Sequence, residues 1–531
     1  MSTLPVTSTP RRTPEQVSEV MRAVTASSTE PEKLFRKALR RNGIRSFRVC
    51  DEGLPGKPDI VIPSRKLAIF IDGDFWHGNQ YRVRGQLTLE QQLTKINNSA
   101  YWNRKIGNNV ARDIKITSQL LDLEWNVARF WESEIHRDVE HCVKTVLGQN
   151  LNPEAVFSAL PRKTASEFFA GIGLVRLAFK HAGWTTVFAN DNDPQKIEMY
   201  TSNFGMNGLD SRSVDDLKGD DIPTCAIATA SFPCNDLSLA GARRGLAGSH
   251  SGTFWAFIRI LGEMGKRQPP LVLLENVPGF LTSHDGADFA AAIAALNKLG
   301  YSCDPFMIDA ANFVPQSRTR LFIIGKQGCP RSDIAHIDET LRPRLLVDFV
   351  RKHSELGWSI RPLPQIKSSK PQLESILEKL GDDDPRWWSQ HRAEYFLNQL
   401  SLPHLKLAKL MIRQDHATYA TAFRRMRNER STAELRFDGI AGCLRTPRGG
   451  SARQILFKAG CGKYKIRLLT PRECARLQGV PDDEFKIDVT DNRALFGFGD
   501  AVCVSVVEWI ARNYLNPLVA ELIRGRILNY A

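Results

Sequence analysis

Phe168-Phe169-Ala170-Gly171-Ile172-Gly173-Leu174 decides how this chain is read. It is the end of an apolar strand, a Gly-x-Gly turn and the start of a helix. From Ser166 onward, strand-like and helical stretches alternate, the pattern of a parallel sheet. Strands are expected at Glu167–Phe169, Thr186–Asn190, Ala226–Ala230, Leu271–Leu274 and Leu321–Ile324. Phe169, Gly171 and Gly173 form the turn, where a ligand can approach backbone beside a helix N-terminus. A Gly-x-Gly alone is equally a simple tight turn. Asp191 and Asp193 close the next apolar strand, where an acid suits a ribose diol. Asp216, after the following turn, is expected to reach an adenine amino group. The crevice is therefore expected to hold a nucleoside-bearing cofactor, and the missing third glycine argues against an ordinary dinucleotide fingerprint.

A second run, Ala228-Thr-Ala-Ser-Phe-Pro-Cys-Asn-Asp-Leu-Ser238, ends a short apolar strand in Pro233-Cys234. A loop with Gly241, Arg243, Arg244 and Gly252 follows. Backbone amides and cations at such an exit favour a thiolate nucleophile, although most cysteines are buried and inert. Forty-one residues on, Leu273-Leu-Glu-Asn-Val-Pro278 is another apolar strand ending in an acid, Glu275. Forty-one further on, Gln316-Ser-Arg-Thr-Arg320 carries Arg318 and Arg320 at strand spacing.

At 531 residues the chain has room for two or three domains. Its 42% apolar and 24% charged residues are ordinary for a globular protein. No apolar run of about 18 residues is evident, so no membrane span is expected. Met1 to Arg12 lacks the apolar core of a secretory signal. Ten scattered cysteines, without a Cys-x-x-Cys pair, suit a reducing compartment. The net charge of +14 points to a polyanion. Residues 331–460 hold 23 Lys and Arg against 15 Asp and Glu, more than half of that excess.

Residues 1–15 read as a flexible tail, 16–147 as a first α/β domain, and 148–164 as a linker. Residues 165–329 and 461–531 read as one catalytic domain interrupted by an irregular, charged stretch at 330–460. In the first domain, strands are expected at Asp59–Ile62, Leu67–Ile71 and Asn126–Trp131, with a helix over Asn103–Leu123.

Six blocks now stand in order: Phe169–Gly173, Pro233-Cys234, Glu275-Asn-Val277, Gln316–Arg320, Arg467-Leu-Leu-Thr-Pro-Arg-Glu-Cys-Ala-Arg-Leu-Gln-Gly479 and Gly499-Asp-Ala-Val502. From about 165 to 520 the chain resembles a DNA cytosine-5 methyltransferase. The resemblance implies a Rossmann-like methyltransferase sheet, S-adenosylmethionine as cofactor, and double-stranded DNA as partner. It implies Phe169, Gly171, Gly173, Asp191, Asp216, Pro233 and Val502 around the cofactor. Cys234 would attack carbon 6 of cytosine. Glu275, protonated or sharing a proton, would bind ring nitrogen 3 and the exocyclic amine. Arg320 would contact the carbonyl oxygen, and Arg318 would support the loop carrying Cys234. The base must leave the stack, and the loop 235–252 is expected to close over it. Two departures stand out: Asp500 where the family commonly has Asn, and Cys443 where Thr is usual. The 330–460 stretch occupies the place of the family's target-recognition region. Arg445 and Arg448 there, with Arg243 and Arg244, are expected on DNA, reading guanines or neutralising phosphates; the sequence leaves both open.

In the first domain, Leu54-Pro-Gly-Lys-Pro-Asp59 and Asp72 put two carboxylates on adjacent strands, with Glu32 nearby, a set that suits Mg²⁺ and phosphodiester cleavage. Met21-Arg-Ala-Val24, Asp72-Gly-Asp-Phe-Trp-His-Gly78, Tyr101-Trp102, Arg112-Asp113 and Trp131-Glu132 resemble very-short-patch-repair endonucleases, which nick beside T:G mismatches. The resemblance implies a PD-(D/E)xK-like α/β nuclease fold. It implies Asp59 as the main metal ligand, which the two-carboxylate reading pairs with Asp72, His77 as proton carrier, Glu32 and Asp113 as assistants, and Phe75, Trp76 and Trp102 as an aromatic wedge. Core packing is the other use of those rings. Asp74, Asn79 and Ser133 stand where some relatives have zinc ligands, so no zinc is expected. Asp72 stands where some have His, which is closer to a general nuclease.

The expectation is one cytoplasmic, nucleoid-associated chain of prokaryotic type with two DNA activities: cytosine-5 methylation and a fused endonuclease. The endonuclease repairs T:G mismatches or, alternatively, restricts unmethylated DNA; a non-catalytic DNA-binding module is the third reading. For the larger part, the rival is an unrelated adenosylmethionine enzyme acting on RNA.

Overall fold

The structure, a computed structural model, describes residues 29–83, 93, 99–123, 125–147, 156–157, 163–233, 252–327, 334, 336–367, 371–427, 430–446 and 453–519. The chain falls into two compact units, the second spanning Pro161–Leu518 and the first comprising the rest.

The first unit is a five-stranded sheet, ordered β1 (Arg48–Val49), β2 (Ile60–Ile62), β3 (Leu67–Asp72), β4 (Asn126–Trp131) and β5 (Val156–Phe157). Only β3 and β4 run parallel. A parallel pair needs a long crossover, and the helix Ser99–Asp122 lies in that connection. Helix Glu30–Arg41 turns Phe35, Ala38 and Leu39 into the core, where they join Ile60, Ile69, Val127 and Phe130. Glu32 closes the capping box of this helix, its Oε1 accepting from the Thr29 hydroxyl at 2.9 Å, and it lies close enough to Asp59 that its charge adds to burial in raising that carboxyl's pKa. β5 falls inside the stretch expected to be a linker, and pairs with β4.

The second unit carries a seven-stranded sheet in the order β11-β12-β10-β9-β6-β7-β8. Its strands are β6 (Thr164–Phe168), β7 (Thr185–Asn190), β8 (Leu209–Asp210), β9 (Ile227–Ala230), β10 (Leu271–Asn276), β11 (Tyr301–Asp309) and β12 (Thr319–Gln327). The five from β6 to β10 are parallel, and β12 and β11 complete the sheet antiparallel. β11 went unread in the sequence because Pro305 interrupts it; as an edge strand it tolerates a missing donor.

The 330–460 stretch is not irregular. It contributes most of a second, antiparallel sheet, ordered β14 (Arg430–Arg436), β13 (Thr418–Arg427), β15 (Ile455–Gly460) and β16 (Lys463–Leu468). The inward positions of its first two strands are largely Ala420, Ala422 and Ala433, so alternation carried little apolar signal. β15 and β16 form one hairpin that spans the expected 460/461 boundary and ends at Leu468. At that point Arg467 and Glu473, each almost fully buried, make two hydrogen bonds at 2.6 and 2.5 Å, and Glu473 also accepts from Thr470 N–H at 2.9 Å.

Among the described residues, the consecutive helical segments between Asp491 and Val519, broken at residues 501–503, together reach the length and apolarity of a spanning segment, which the sequence reading did not register. Their apolar window is 61% buried in the protein, as in a core helix.

Candidate functional site

In the second unit a cavity of about 350 Å³ opens at the carboxyl ends of β6, β7, β9 and β10, where open α/β sheets take their ligands. The Gly-rich turn forms its floor. Gly171 has φ +57° and faces open space, so a side chain there would project into unfilled volume. Phe169 also has positive φ, +56°, a costly conformation for an aromatic residue that clusters at functional sites. The Gly171 N–H donates to Asp191 Oδ2 at 2.7 Å, and Asp193 N–H to Asp191 Oδ1 at 2.9 Å. These bonds fix an acid that burial pushes above its ordinary pKa.

Phe169, Gly171, Asp191, Pro233, Glu275, Arg318, Arg320 and Val502 all line the cavity. Gly173 does not. It caps helix Leu174–His181 with φ +85°, and its missing Cβ leaves room for Phe204. Asp216 is exposed and is not among the residues lining the cavity, which include Ser213 and Val214. Cys234, Arg243, Arg244 and Arg448 lie outside the described residues. Arg445 is exposed, and its backbone crosses Gly499 so closely that a Cβ there would fall 2.5 Å from the Arg445 carbonyl carbon.

Glu275 near the end of β10 and Arg320 at the start of β12 come together because these strands pair antiparallel, Asn276 opposite Leu321. Arg320 Nε lies 3.0 Å from Glu275 Oε1. Asn276 Nδ2 donates to the Phe232 carbonyl at 3.2 Å, tying β10 to the residues just before Pro233.

Arg318, expected to hold the loop of Cys234, has other partners among the described residues. It donates to the carbonyls of Leu444 (2.9 Å) and Ala501 (2.6 Å), joining the Leu444 segment to the Ala501 segment that walls the cavity. Its burial lowers its pKa, as does the neighbouring Arg320. Cys443 Sγ lies 3.3 Å from Arg318 Nη1 and 3.8 Å from Arg320 Nη2. Burial alone would raise that thiol's pKa, but the two guanidiniums bring it below the ordinary value. Sequence reading missed Lys196, whose Nζ lies 2.9 Å from Asp500 Oδ2 on the cavity wall.

The first unit gathers a separate cluster. His77 Nδ1 lies 2.5 Å from Asp113 Oδ2 and 3.6 Å from Asp72 Oδ1. Burial opposes charge on His77, but the Asp113 bond and the charges of Asp72 and Asp113 outweigh it and raise its pKa. The unforeseen member is Arg129 on β4. Its Nε and Nη2 donate to Asp72 Oδ2 and Oδ1 at 2.7 and 2.6 Å, and Nη2 lies 3.3 Å from Asp113. Both Asp72 oxygens are thus engaged by a buried cation, while Asp72, His77 and Asp113 each bring a ligand atom within 4.8 Å of the others, a grouping that could hold a metal ion. The signal was an arginine inside an otherwise apolar strand, Val127-Ala-Arg-Phe-Trp131. Arg129→Met would strip buried Asp72 of both its guanidinium hydrogen bonds and is expected to cost about 3–5 kcal/mol. Denaturant unfolding with hydrogen exchange on β3 and β4 reads this, and the double change Asp72→Leu, Arg129→Met should recover most of the loss.

Asp59 accepts from the Ile71 N–H at 2.7 Å, and burial pushes its carboxyl up to about 7. Asp74 bonds Asn79 Nδ2 at 2.5 Å and the Ser133 hydroxyl at 2.8 Å, so the three residues at the zinc-ligand positions bind one another. Phe75, Trp76 and Trp102 are half-buried and meet edge to face at 5.2 to 5.8 Å, with Lys105 Nζ 5.6 Å from the Trp76 ring centre.

Residues 164–516 match the family model described as C-5 cytosine-specific DNA methylase, and residues 10–83 match that of the DNA mismatch endonuclease Vsr. Among similar proteins, the type II methyltransferase M.BsuFI of Bacillus subtilis is 28% identical over 66% of this chain and 71% of its own. M.DsaV of Dactylococcopsis salina is 29% identical over 66% and 85%. M.HhaI of Haemophilus parahaemolyticus is 26% identical over 65% and 92%. Among solved structures, the S. pombe Dnmt2 methyltransferase is 19% identical, covering 67% of this chain and 99% of its own, with a TM-score of 0.46.

Proposed function

We propose, from the premise that this chain belongs to the C-5 cytosine-specific DNA methylase family, that the cavity of the second unit performs the methyl transfer with the residues at its mouth in defined roles. The observation that carries these roles is the Glu275–Arg320 pair, held at 3.0 Å on the same wall as Pro233.

The cavity residues fit S-adenosylmethionine: a pinned acid, Asp191, for a diol, a Gly turn open to the ligand, and room of about 350 Å³. When bound, that group supplies an electrophilic methyl. Cys234, directly after Pro233, adds to carbon 6 of the cytosine and gives carbon 5 its nucleophilic character. Glu275 binds ring nitrogen 3 and the exocyclic amine and carries the proton that neutralises the adduct. Arg320 keeps Glu275 oriented and reaches the carbonyl oxygen. Arg318 acts at one remove by holding the Leu444 and Ala501 segments together. A base then takes the carbon 5 proton and Cys234 leaves. The +8 excess of residues 331–460 supports DNA as the partner of the adjoining region. Digestion and mass analysis of duplex DNA incubated with protein and methyl-labelled S-adenosylmethionine tests this reading: label is expected only as 5-methylcytosine, and label on RNA or on another atom would refute it.

For the first unit the proposed activity is endonucleolytic nicking, supported by the Vsr match and the His77–Asp113 pair. His77, short-bonded to Asp113, serves as the proton carrier. Asp59 is the expected main carboxylate for a divalent ion, with Asp72, also bonded to Arg129, and Glu32 close by; that ion would activate water and steady the phosphate. Asp59→Ala should abolish nicking in Mg²⁺ and leave DNA retention on a gel intact. Unchanged nicking would move the activity elsewhere; no nicking by the unaltered chain would favour a DNA-binding module. Parallel assays on T:G, unmethylated and methylated duplexes separate mismatch repair, the favoured reading, from restriction.

A further inference from the structure

Lys196 and Asp500 stand out because each sits where its own helix disfavours it. Lys196 is in the first turn of helix Pro194–Phe204, beside the positive end of the helix dipole. Asp500 is the last residue of helix Asp491–Asp500, at the negative end. Neither charge serves its helix. The two meet at 2.9 Å on the cavity wall, with side-chain exposures of 19% and 42%.

The rest of the lining shows what such a cation can do. Among the described lining residues the cations are Lys196, Arg318 and Arg320. Arg320 pairs with Glu275, and Arg318 is committed to backbone carbonyls. The acids beside the Gly-rich turn are Asp191 and Asp193, and Asp191 is already fixed by two backbone N–H groups. S-adenosylmethionine carries a single anion, the carboxylate of its amino-acid end. A wall holding Asp191, Asp193 and Asp500 would repel it, and Lys196 is the cation on that wall able to reverse this. Burial opposes charge on Lys196, but Asp500 and Asp191 outweigh it and hold its pKa above the ordinary value.

We propose that Lys196 receives the carboxylate of the cofactor's amino-acid end, and that Asp500 is the internal counter-charge that holds Lys196 on the cavity wall and shares it when that carboxylate binds. This rests on the methyltransferase reading of the cavity. An ammonium has three donors, so Lys196 can keep Asp500 while bonding the incoming group. Asp500 sets a penalty on the cofactor that only a charged Lys196 relieves.

The test is calorimetric titration of the full-length protein, without DNA, with two probes: S-adenosylhomocysteine, which has the amino-acid end, and 5′-methylthioadenosine, which lacks it. Lys196→Met is expected to weaken S-adenosylhomocysteine by about 10- to 100-fold, the range of a charge-assisted bond. Methylthioadenosine binding should stay unchanged, which also certifies the fold. Asp500→Asn should tighten S-adenosylhomocysteine a few-fold, and adding it to Lys196→Met should restore part of the loss. Equal weakening of both probes by Lys196→Met, or no weakening, would overturn the proposal. So would an Asp500→Asn variant that loses S-adenosylhomocysteine selectively, since Asp500 would then hold the ammonium. If the unaltered protein binds neither probe, the cofactor assignment fails, and this inference fails with it.

Discussion

Replacing Cys234 by serine is expected to lower methyl transfer on the order of 10⁴-fold or more while leaving S-adenosylhomocysteine affinity unchanged. The reaction needs an anion that adds to carbon 6 and later departs. A thiol can be brought to thiolate near neutral pH by surrounding cations and amides, whereas a hydroxyl cannot. Position supports the choice: Pro233, the neighbouring residue, lines the cavity beyond β9, on the same wall as Glu275 and Arg320. Serine preserves shape, so cofactor and DNA binding should survive. Single-turnover kinetics with labelled cofactor reads the effect, and a serine variant within about tenfold of the parent rate would remove the nucleophile from the account.

Glu275→Gln should lower kcat by about 10²- to 10⁴-fold, the usual contribution of a positioned proton donor. The amide can still bond the exocyclic amine but cannot hand a proton to ring nitrogen 3. It also strips Arg320 of the carboxylate 3.0 Å away, leaving a half-screened guanidinium beside the base. The loss should therefore fall on the chemical step and spare the binding of S-adenosylhomocysteine. A variant with normal kcat and raised cofactor Kd would instead make Glu275 part of the cofactor seat.

The parallel part of the large sheet was legible because its strands are short apolar runs ending at chemically distinctive residues: Phe168, Asn190, Ala230 and Asn276 all close strands at the cavity. The antiparallel sheet in residues 418–468 was not, since alanines face its core and arginines its surface. Site residues on strand ends could be read, as Glu275 and Asp191 were. Residues that act through long-range pairing could not. Arg129 finds Asp72 from 57 positions away, and Asp500 finds Lys196 across two helices. Arg318 was expected to support the loop of Cys234, yet its described partners are the carbonyls of Leu444 and Ala501 and the Cys443 thiol, which no local pattern encodes. Asp216 suited the adenine by count of turns, but the chain brings Ser213 and Val214 to the cavity first.

The most direct measurement of the central claim is covalent trapping. The protein is incubated with S-adenosylmethionine and a pool of duplexes carrying 5-fluorocytosine in place of cytosine, then denatured and weighed by mass spectrometry. Fluorine blocks the final proton loss, so the adduct should persist. The expected species is protein plus DNA plus one methyl, linked through Cys234 and missing from Cys234→Ser. Methylated 5-fluorocytosine released with no covalent species, or an adduct that forms equally well in the serine variant, would contradict it.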